Sequence, residues 1–273
     1  MPRRAKCPVE RPDGVEIHWE AQGEGPLVVI VHQILWSYPK VYLELIDDLA
    51  RDHRVVLYDA RGCGQSSRRG PYDIETDAED LLAVVSAAGR GAVAIAPGYG
   101  YNVAARVASA RPDLISHLIA IAPAAAAILP RSELKGTDVL AASEAVAEMF
   151  IQLMSTDQRA GLRTMIATTN PKLDERQVRE RVEYVAGYIS PEAGLDRVRA
   201  WLADDTSEHA RILGDRLWIL HAGTEPLFEG ALRARVAELY PEAHLEELAD
   251  GPVSRPDLTA ARVRRITGVE AYS

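Results

Sequence analysis

Short apolar runs recur along the chain, and most of them are too short to be helices. Five are continuous apolar stretches, the pattern of strands that are buried on both faces of a sheet. They span 27–31, 55–58, 92–95, 118–121 and 217–220. A sixth stretch, 15–20, alternates apolar and polar residues, which predicts a half-exposed antiparallel strand.

Helical periodicity fills the segments between these strands. The predicted helices span 38–51, 75–88, 101–110, 227–239 and 257–266. Short strands that alternate with helices predict an α/β fold, in which a mostly parallel sheet is covered by helices on both faces.

The alternation stops between about 124 and 212, where no strand pattern occurs. Apolar residues follow helical stripes there, for example Val178, Val182 and Val185. We interpret these stripes as core packing, and residues 124–212 as a helical cap inserted in a core domain of residues 1–123 and 213–273. Such a cap is expected over the carboxyl edge of the sheet, where open α/β sheets bind ligands.

Composition and charge argue against several kinds of partner. The net charge of −9 disfavours nucleic acid and anionic membrane surfaces. The longest apolar run, 118–129, contains Pro123 and is too short to span a bilayer. Two cysteines form no disulfide framework, and the basic start of the sequence lacks the apolar segment of a secretory signal, so we expect a reducing cytoplasm. Scattered histidines without HxxxH, HExxH or CxxC spacing predict no metal site, and no cofactor is expected.

Five short motifs occur in an order and at a spacing that resemble the α/β-hydrolase fold family. Residues 23–32 (GEGPLVVIVH) look like the lead-in to its oxyanion loop, and 58–66 (YDARGCGQS) look like its D-x-R-G-x-G-x-S turn. Residues 94–100 (AIAPGYG) stand at its nucleophile elbow, 221–226 (HAGTEP) at the segment that carries the triad acid, and 249–252 (ADGP) where D-x-G-H is usual. The resemblance implies an α/β-hydrolase fold, a mostly parallel eight-stranded sheet flanked by helices with a helical cap. It does not by itself imply a reaction.

The resemblance also locates the catalytic positions, and the residues found there differ from those of the family. The nucleophile position is Gly98 and the triad histidine position is Pro252, whereas Glu225 keeps a carboxylate at the acid position. Gln33 stands where the oxyanion loop has a small residue, and Tyr101 takes the place of a second small residue after the elbow. Acyl transfer by this fold needs a nucleophile, a base and oxyanion donors, so ordinary serine-type hydrolysis is not expected.

Three residues are the catalytic candidates. Glu225 without a histidine partner is expected to have a raised pKa, which suits a general acid or base; an inert, hydrogen-bonded carboxylate is the alternative. Gln33 is a candidate donor to a substrate oxygen, or else a residue that fills the pocket. Tyr99 is a candidate through its phenol and its backbone N–H, which stands at a helix N-terminus where negative charge is favoured.

A second set of residues is predicted to bind substrate. It consists of His32, Ile34, Trp36, Gly98, Tyr101 and Pro252. Aromatic side chains with one polar group suit an aromatic or polycyclic ligand, although packing against the cap explains them equally well. A structural role is favoured for His32 and also for His221, and Cys63 is favoured as an inert turn residue over a reactive thiol.

Three functions stay open at this point. The first is a non-hydrolytic enzyme of the cyclase, lyase or isomerase type, which transfers protons on a small, largely apolar organic molecule, with specialised-metabolite biosynthesis as its setting. The second is a non-catalytic pseudo-hydrolase that binds a ligand, and the third is a hydrolase in which Glu225 activates water. The expected partner is a small molecule, with a homodimer left open and neither nucleic acid nor membrane expected.

Overall fold

The computed structural model describes residues 5–32, 42–123, 125–169, 173–222, 231–248 and 255–270. These ranges contain β1 (Ala5–Glu10), β2 (Glu16–Gln22), β3 (Leu27–Ile30), β4 (Arg54–Tyr58), β5 (Ala92–Pro97), β6 (Ile115–Ile121), β7 (Leu217–Ala222) and β8 (His244–Leu248). The strands form one eight-stranded sheet in the order β1-β2-β4-β3-β5-β6-β7-β8. β2 pairs antiparallel with β1 and β4, and the other neighbours pair in parallel.

All six strands that the apolar patterns predict are present in this sheet. The two strands without such a pattern, β1 and β8, are its edge strands. β1 contains Pro8, and β8 contains Glu246 and Glu247. An edge strand pairs on one side only, so it tolerates proline and charge, which also discourage pairing with other chains. The mostly parallel sheet confirms the predicted α/β fold.

Helices cover both faces of the sheet. The helices that pack on the sheet are α1 (Leu43–Leu49), α2 (Ile74–Ala88), α3 (Tyr99–Ala110), α11 (Ala231–Leu239) and α12 (Pro256–Thr267). α1 and α12 contribute to one apolar cluster, and α2, α3 and α11 contribute to a larger cluster on the other face. Since alternate residues of a strand point to opposite faces, Val28 and Ile30 enter the first cluster and Val29 enters the second.

Between β6 and β7 the described residues form helical structure and no named strand. The helices are α4 (Ala125–Ile128), α5 (Arg131–Leu134), α6 (Asp138–Thr156), α7 (Gln158–Thr169), α8 (Glu175–Tyr188), α9 (Pro191–Ala203) and α10 (Ser207–Leu213). The side chains of Thr137, Asp174 and Ser190 accept backbone N–H bonds at the starts of α6, α8 and α9, which explains where these helices begin. The valine stripe of α8 is buried, as its periodicity predicts. The exact division into core and cap stays a prediction.

The junction of α8 and α9 is attached to the core at the turn that follows β4. The backbone N–H of Gly64 donates to the carbonyl of Tyr188 (2.8 Å), and that of Ser190 donates to the carbonyl of Gly62 (2.9 Å). This pairing holds the start of α9 against the D-x-R-G-x-G-x-S turn. Among the described helices, none is long and apolar enough to cross a membrane.

Candidate functional site

The chain makes a sharp turn between β5 and α3 at the carboxyl edge of the sheet. Gly98, at this turn, has φ +50° and ψ −118°, a left-handed backbone conformation that residues with side chains rarely adopt. Its N–H donates to the carbonyl of Ile121 at the end of β6 (3.0 Å), which ties the turn to the neighbouring strand. This strand-turn-helix geometry is the one that the resemblance predicts for the elbow, with a glycine at its apex.

The two glycines of this turn have different steric surroundings. A Cβ on Gly100 would lie 2.8 Å from the carbonyl oxygen of His32, so α3 passes too close to the end of β3 for a side chain there. A Cβ on Gly98 would have no described atom within 4 Å. Packing therefore requires a glycine at position 100, whereas the space beside Gly98 is open within the described part of the chain.

Tyr99 is the first residue of α3. Its backbone N–H has no acceptor within the helix, because the first N–H groups of any helix lack an intrahelical carbonyl. The dipole of this twelve-residue helix favours negative charge at the same end. This end of α3 therefore suits an oxygen that carries partial or full negative charge.

A buried ion pair lies beneath the elbow. The Arg197 guanidinium donates to both carboxylate oxygens of Asp77, with Nε to Oδ2 at 2.6 Å and Nη2 to Oδ1 at 2.8 Å. Both side chains are fully buried. Burial alone would raise the pKa of Asp77, but its ion pair and hydrogen bonds with Arg197 outweigh this effect and hold that pKa well below the ordinary carboxyl range. Asp77 is therefore an anion in the interior.

Tyr99 belongs to this buried group. Its phenol donates to Asp77 Oδ2 (2.7 Å), and only 3% of the residue is exposed. Burial, followed by the Asp77 charge, raises the pKa of the phenol well above its ordinary value. The phenol is thus a neutral donor held by Asp77 in the interior. A catalytic role for Tyr99 stays a prediction, and its backbone N–H is the part of this residue that the fold leaves at the elbow.

The other predicted site residues within the described ranges are also buried. His32 lies two residues beyond the end of β3, with its Nε2 3.5 Å from Asp77 Oδ2, and its ring lies edge-on to that of Tyr58. These contacts support the structural interpretation of His32. Tyr101 is fully buried, and no described atom accepts or donates a hydrogen bond at its hydroxyl. Its contact with a ligand stays a prediction.

Several predicted site residues lie outside the described residues. These are Gln33, Ile34, Trp36, Glu225 and Pro252. Their roles in the pocket and in proton transfer therefore stay predictions from the sequence. Of the carboxyl edge of the sheet, the structure describes the residues at the ends of β3, β5, β6 and β7.

Cys63 and His221, for which the sequence favours a structural role, are both buried. Cys63 is completely buried, and burial raises the pKa of its thiol to about 11, which supports an inert turn residue over a reactive one. His221, at the end of β7, is buried, and burial lowers its pKa. Its Nδ1 lies 3.1 Å from the carbonyl of Ala222. Within the described ranges, no group of three or more His, Cys, Asp or Glu side chains could hold a metal ion.

Sequence reasoning missed Asp77 and Arg197. Each is a charged residue inside an apolar stripe: Asp77 shares the buried face of α2 with Ala78 and Leu81, and Arg197 shares that of α9 with Val198. A charge in such a position indicates a buried partner, because unpaired charges are almost never fully buried. The pattern could have identified both residues, although not as partners of each other.

Comparisons with known proteins agree with this geometry. A family model described as alpha/beta hydrolase fold matches residues 26–229. Pimeloyl-[acyl-carrier protein] methyl ester esterase of Vibrio atlanticus (strain LGP32) is 32% identical over 107 residues, which are 39% of this chain and 40% of that protein. The AB hydrolase superfamily protein YfhM of Bacillus subtilis (strain 168) is 29% identical over 125 residues, 42% of this chain and 43% of that protein. The matches thus span less than half the length of these curated relatives.

A solved structure matches over nearly the whole chain. The esterase EaEST from Exiguobacterium antarcticum aligns with a TM-score of 0.76 over 97% of this chain and 100% of its own, at 15% sequence identity. At this identity the similarity concerns the fold, and it does not extend to a substrate or a reaction.

Proposed function

Because this chain belongs to the α/β-hydrolase fold family, we propose that it keeps the ligand site of the fold but no longer uses a serine mechanism. In this proposal it binds a small, largely apolar organic metabolite at the Gly98 elbow. The protein then catalyses a proton-transfer reaction of the cyclase, lyase or isomerase type on this metabolite. The observation that carries the proposal is the elbow itself, whose sharp turn is formed with a glycine at the apex and with no described atom within 4 Å of the Gly98 Cβ position.

The residues at the triad positions support the loss of the serine mechanism. Gly98 has no side chain and therefore no nucleophilic oxygen. Pro252, at the position of the family's histidine, has no nitrogen that can accept a proton. A mechanism that forms an acyl-enzyme needs both groups. A single substitution elsewhere in the chain does not replace them.

The geometry of the elbow suits a ligand that approaches the backbone closely. Glycine is the residue that permits such an approach. An oxygen of the ligand placed beside Gly98 would meet the N-terminus of α3 and the N–H of Tyr99. We assign the remaining chemistry to Glu225 as general acid or base and to Gln33 as a donor, since both stand at catalytic positions of the fold.

A second candidate function is ligand binding without turnover. One observation favours it: the side chains of Asp77, Arg197 and Tyr99 beneath the elbow are bound to one another. Asp77 is held by Arg197 and by the phenol of Tyr99. Among the described residues of this network, none presents a free acid or base to a ligand. The choice between the two functions therefore depends on Glu225.

The first experiment tests the loss of the serine mechanism. Purified protein is mixed with 4-nitrophenyl butyrate, and nitrophenolate release is followed from the first milliseconds. We expect neither a burst nor steady turnover above the rate in buffer. A burst equal to the enzyme concentration would contradict the proposal. The Gly98→Ser, Pro252→His double variant is expected to gain weak esterase activity, because it restores a nucleophile and a base at an existing elbow.

The second experiment locates the ligand at the elbow. A panel of small aromatic and alicyclic acids, ketones and lactones is screened by thermal shift, and the strongest binder is titrated by calorimetry. Gly98→Ala is expected to weaken that binder at least tenfold, because its methyl group enters the space that the described residues leave open. Gly91→Ala is the matched control: Gly91 also has a left-handed φ and no described atom within 4 Å of its Cβ position, but it lies at the opposite end of β5. Equal losses in both variants would place the ligand elsewhere.

The third experiment separates catalysis from binding. The binder is incubated with the protein, and product formation is followed by NMR, which detects isomers that have equal mass. Glu225→Gln is expected to abolish turnover while the dissociation constant changes less than threefold. Binding without any product would favour the second candidate function. Hydrolysis that depends on Glu225, with incorporation of solvent oxygen, would identify the water-activating mechanism instead.

A further inference from the structure

The buried ion pair links two parts of the chain that are 120 residues apart in sequence. Asp77 lies on core helix α2, and Arg197 lies on α9, between β6 and β7. The two side chains are each completely removed from solvent. The pair is therefore a contact between the core and the inserted helices that water does not screen.

The Arg197 guanidinium uses its remaining donors on the core as well. Nη2 donates to the backbone carbonyl of Arg61 (2.8 Å), in the turn that follows β4. Nη1 is directed to Cys63 Sγ (3.7 Å), and the guanidinium lies over the ring of Tyr72, 5.6 Å from its centroid. A planar fork with fixed donor directions is needed for these contacts, and a lysine ammonium lacks one.

Asp77 transmits this contact to the elbow. The oxygen that accepts from Arg197 Nε also accepts the phenol hydrogen of Tyr99, at 2.7 Å. Tyr99 follows Gly98 directly and begins α3. Two consecutive contacts, Arg197 to Asp77 and Asp77 to the Tyr99 phenol, thus connect α9 to the residue that follows Gly98 at the elbow.

A buried ion pair contributes little stability compared with apolar residues of the same volume, because both charges lose their hydration. Its clearest effect is to select one arrangement of the parts that it joins, since any other arrangement leaves a buried charge unpaired. From this geometry we infer that Arg197 is a positioning residue. Through Asp77 and Tyr99 it holds the first turn of α3, and with it α9, in the arrangement that shapes the ligand site. The inference rests on the proposed function, because it assumes a ligand site at the elbow.

The test compares variants that separate charge, fork geometry and stability. Arg197→Lys keeps the charge without the fork. The triple variant Asp77→Leu, Tyr99→Phe, Arg197→Met removes the network and replaces it with apolar side chains of similar volume. Arg264→Met is the matched control. Arg264, on α12, also makes several hydrogen bonds to another segment of the chain, to Asp48 on α1 and to Asp52 in the turn after α1, but these lie on the other face of the sheet.

Amide hydrogen exchange measured by mass spectrometry provides a readout that needs no ligand. In both Arg197→Lys and the triple variant, peptides from α9 and from 98–103 are expected to exchange at least tenfold faster than in the wild type. This holds even where the triple variant recovers the wild-type urea midpoint. Arg264→Met is expected to accelerate peptides of α12 and to leave those of α9 and 98–103 unchanged. If these two segments exchange in Arg197→Lys at the same rate as in the wild type, the inference is overturned, whether or not the triple variant folds.

The ligand provides the second readout. The strongest binder from the screen is expected to lose at least tenfold in affinity for Arg197→Lys, although Arg197 is not placed in contact with it. If exchange accelerates but affinity is unchanged, the pair holds α9 without positioning the site, and the inference fails. If no compound of the panel binds the wild type, the proposed function fails, and the exchange experiment still decides whether Arg197 positions the elbow.

Discussion

Replacement of Arg197 by methionine tests the energetics of the buried network most directly. Methionine fills much of the same space but leaves the buried Asp77 carboxylate without the Arg197 cation, and the Arg61 carbonyl without its donor. Removal of one member of a buried ion pair typically costs about 3–5 kcal/mol, because the other charge stays desolvated. For 273 residues the entropy of unfolding is about 0.6 kcal/mol/K, so a loss of about 4 kcal/mol lowers the Tm by about 7 °C.

The pH dependence identifies Asp77 as the cause of this loss. In the wild type the pKa of Asp77 is lowered, so its contribution is complete at neutral pH and disappears as the pH falls below the ordinary carboxyl range. In Arg197→Met, burial dominates, and the pKa of Asp77 is expected to rise above its unfolded value. The folded variant then binds a proton that the unfolded chain does not, so its deficit relative to the wild type shrinks as the pH falls.

The assay is urea unfolding followed by circular dichroism at pH 7.0 and pH 4.5, with both proteins in the same buffers. We expect a deficit of about 3–5 kcal/mol at pH 7.0 and a clearly smaller one at pH 4.5. Arg159→Met is the control, since its hydrogen bonds to Glu183 lie at an exposed site and their loss is expected to change stability little at either pH. A deficit below about 1 kcal/mol, or one that is equal at the two pH values, would refute the reasoning.

Three further predictions use other parts of the fold. Gly100→Ala is expected to destabilise by about 1–3 kcal/mol in urea unfolding, because its methyl group would lie 2.8 Å from a backbone carbonyl oxygen. Gly187→Ala is expected to stabilise by about 0.5–1 kcal/mol in the same titration, because Gly187 is on the exposed face of α8 and no described atom lies within 4 Å of its Cβ position. Tyr99→Phe is expected to lower the free energy of unfolding by about 1–3 kcal/mol, because it removes a hydrogen bond to a charged acceptor. Tyr101→Phe is expected to leave the stability unchanged or slightly raised, since it removes a buried hydroxyl that has no partner among the described residues. A larger loss of stability for Tyr101→Phe than for Tyr99→Phe would contradict this reasoning. In a Cys7→Ser variant, Cys63 is expected to react with Ellman's reagent at pH 8 only after the protein unfolds. Burial blocks access to the thiol, and the rise of its pKa from 9.0 to about 11 lowers the thiolate fraction about a hundredfold.

Much of the fold could be predicted from the sequence because its signals are local. A strand buried on both faces needs a continuous apolar run, and β3 to β7 each have one. The strand-turn-helix at Gly98 was recognisable from the run before it and the glycines within it. β1 and β8 could not be predicted in this way, since edge strands need not be apolar.

The site was predicted less completely, and Tyr99 shows why. Its position in the chain places its backbone at the elbow, and that part of the prediction depends only on neighbouring residues. The direction of its phenol depends on Asp77 and Arg197, which approach it from two other helices. A single sequence contains no signal for a pair 120 residues apart, because the contact exists only after the inserted helices have packed on the core.

The sequence by itself thus determined the order of the six strands with an apolar pattern, the place of the elbow and the absence of a nucleophilic side chain at its apex. Only the tertiary structure decided that the space beside Gly98 is open within the described residues, that Gly100 is needed for the close approach of α3, and that Asp77 and Arg197 neutralise each other beneath Tyr99. The reason is physical. Periodicity and turn chemistry act between neighbours along the chain, whereas steric space and the pairing of buried charges are set by residues that meet only in the folded state.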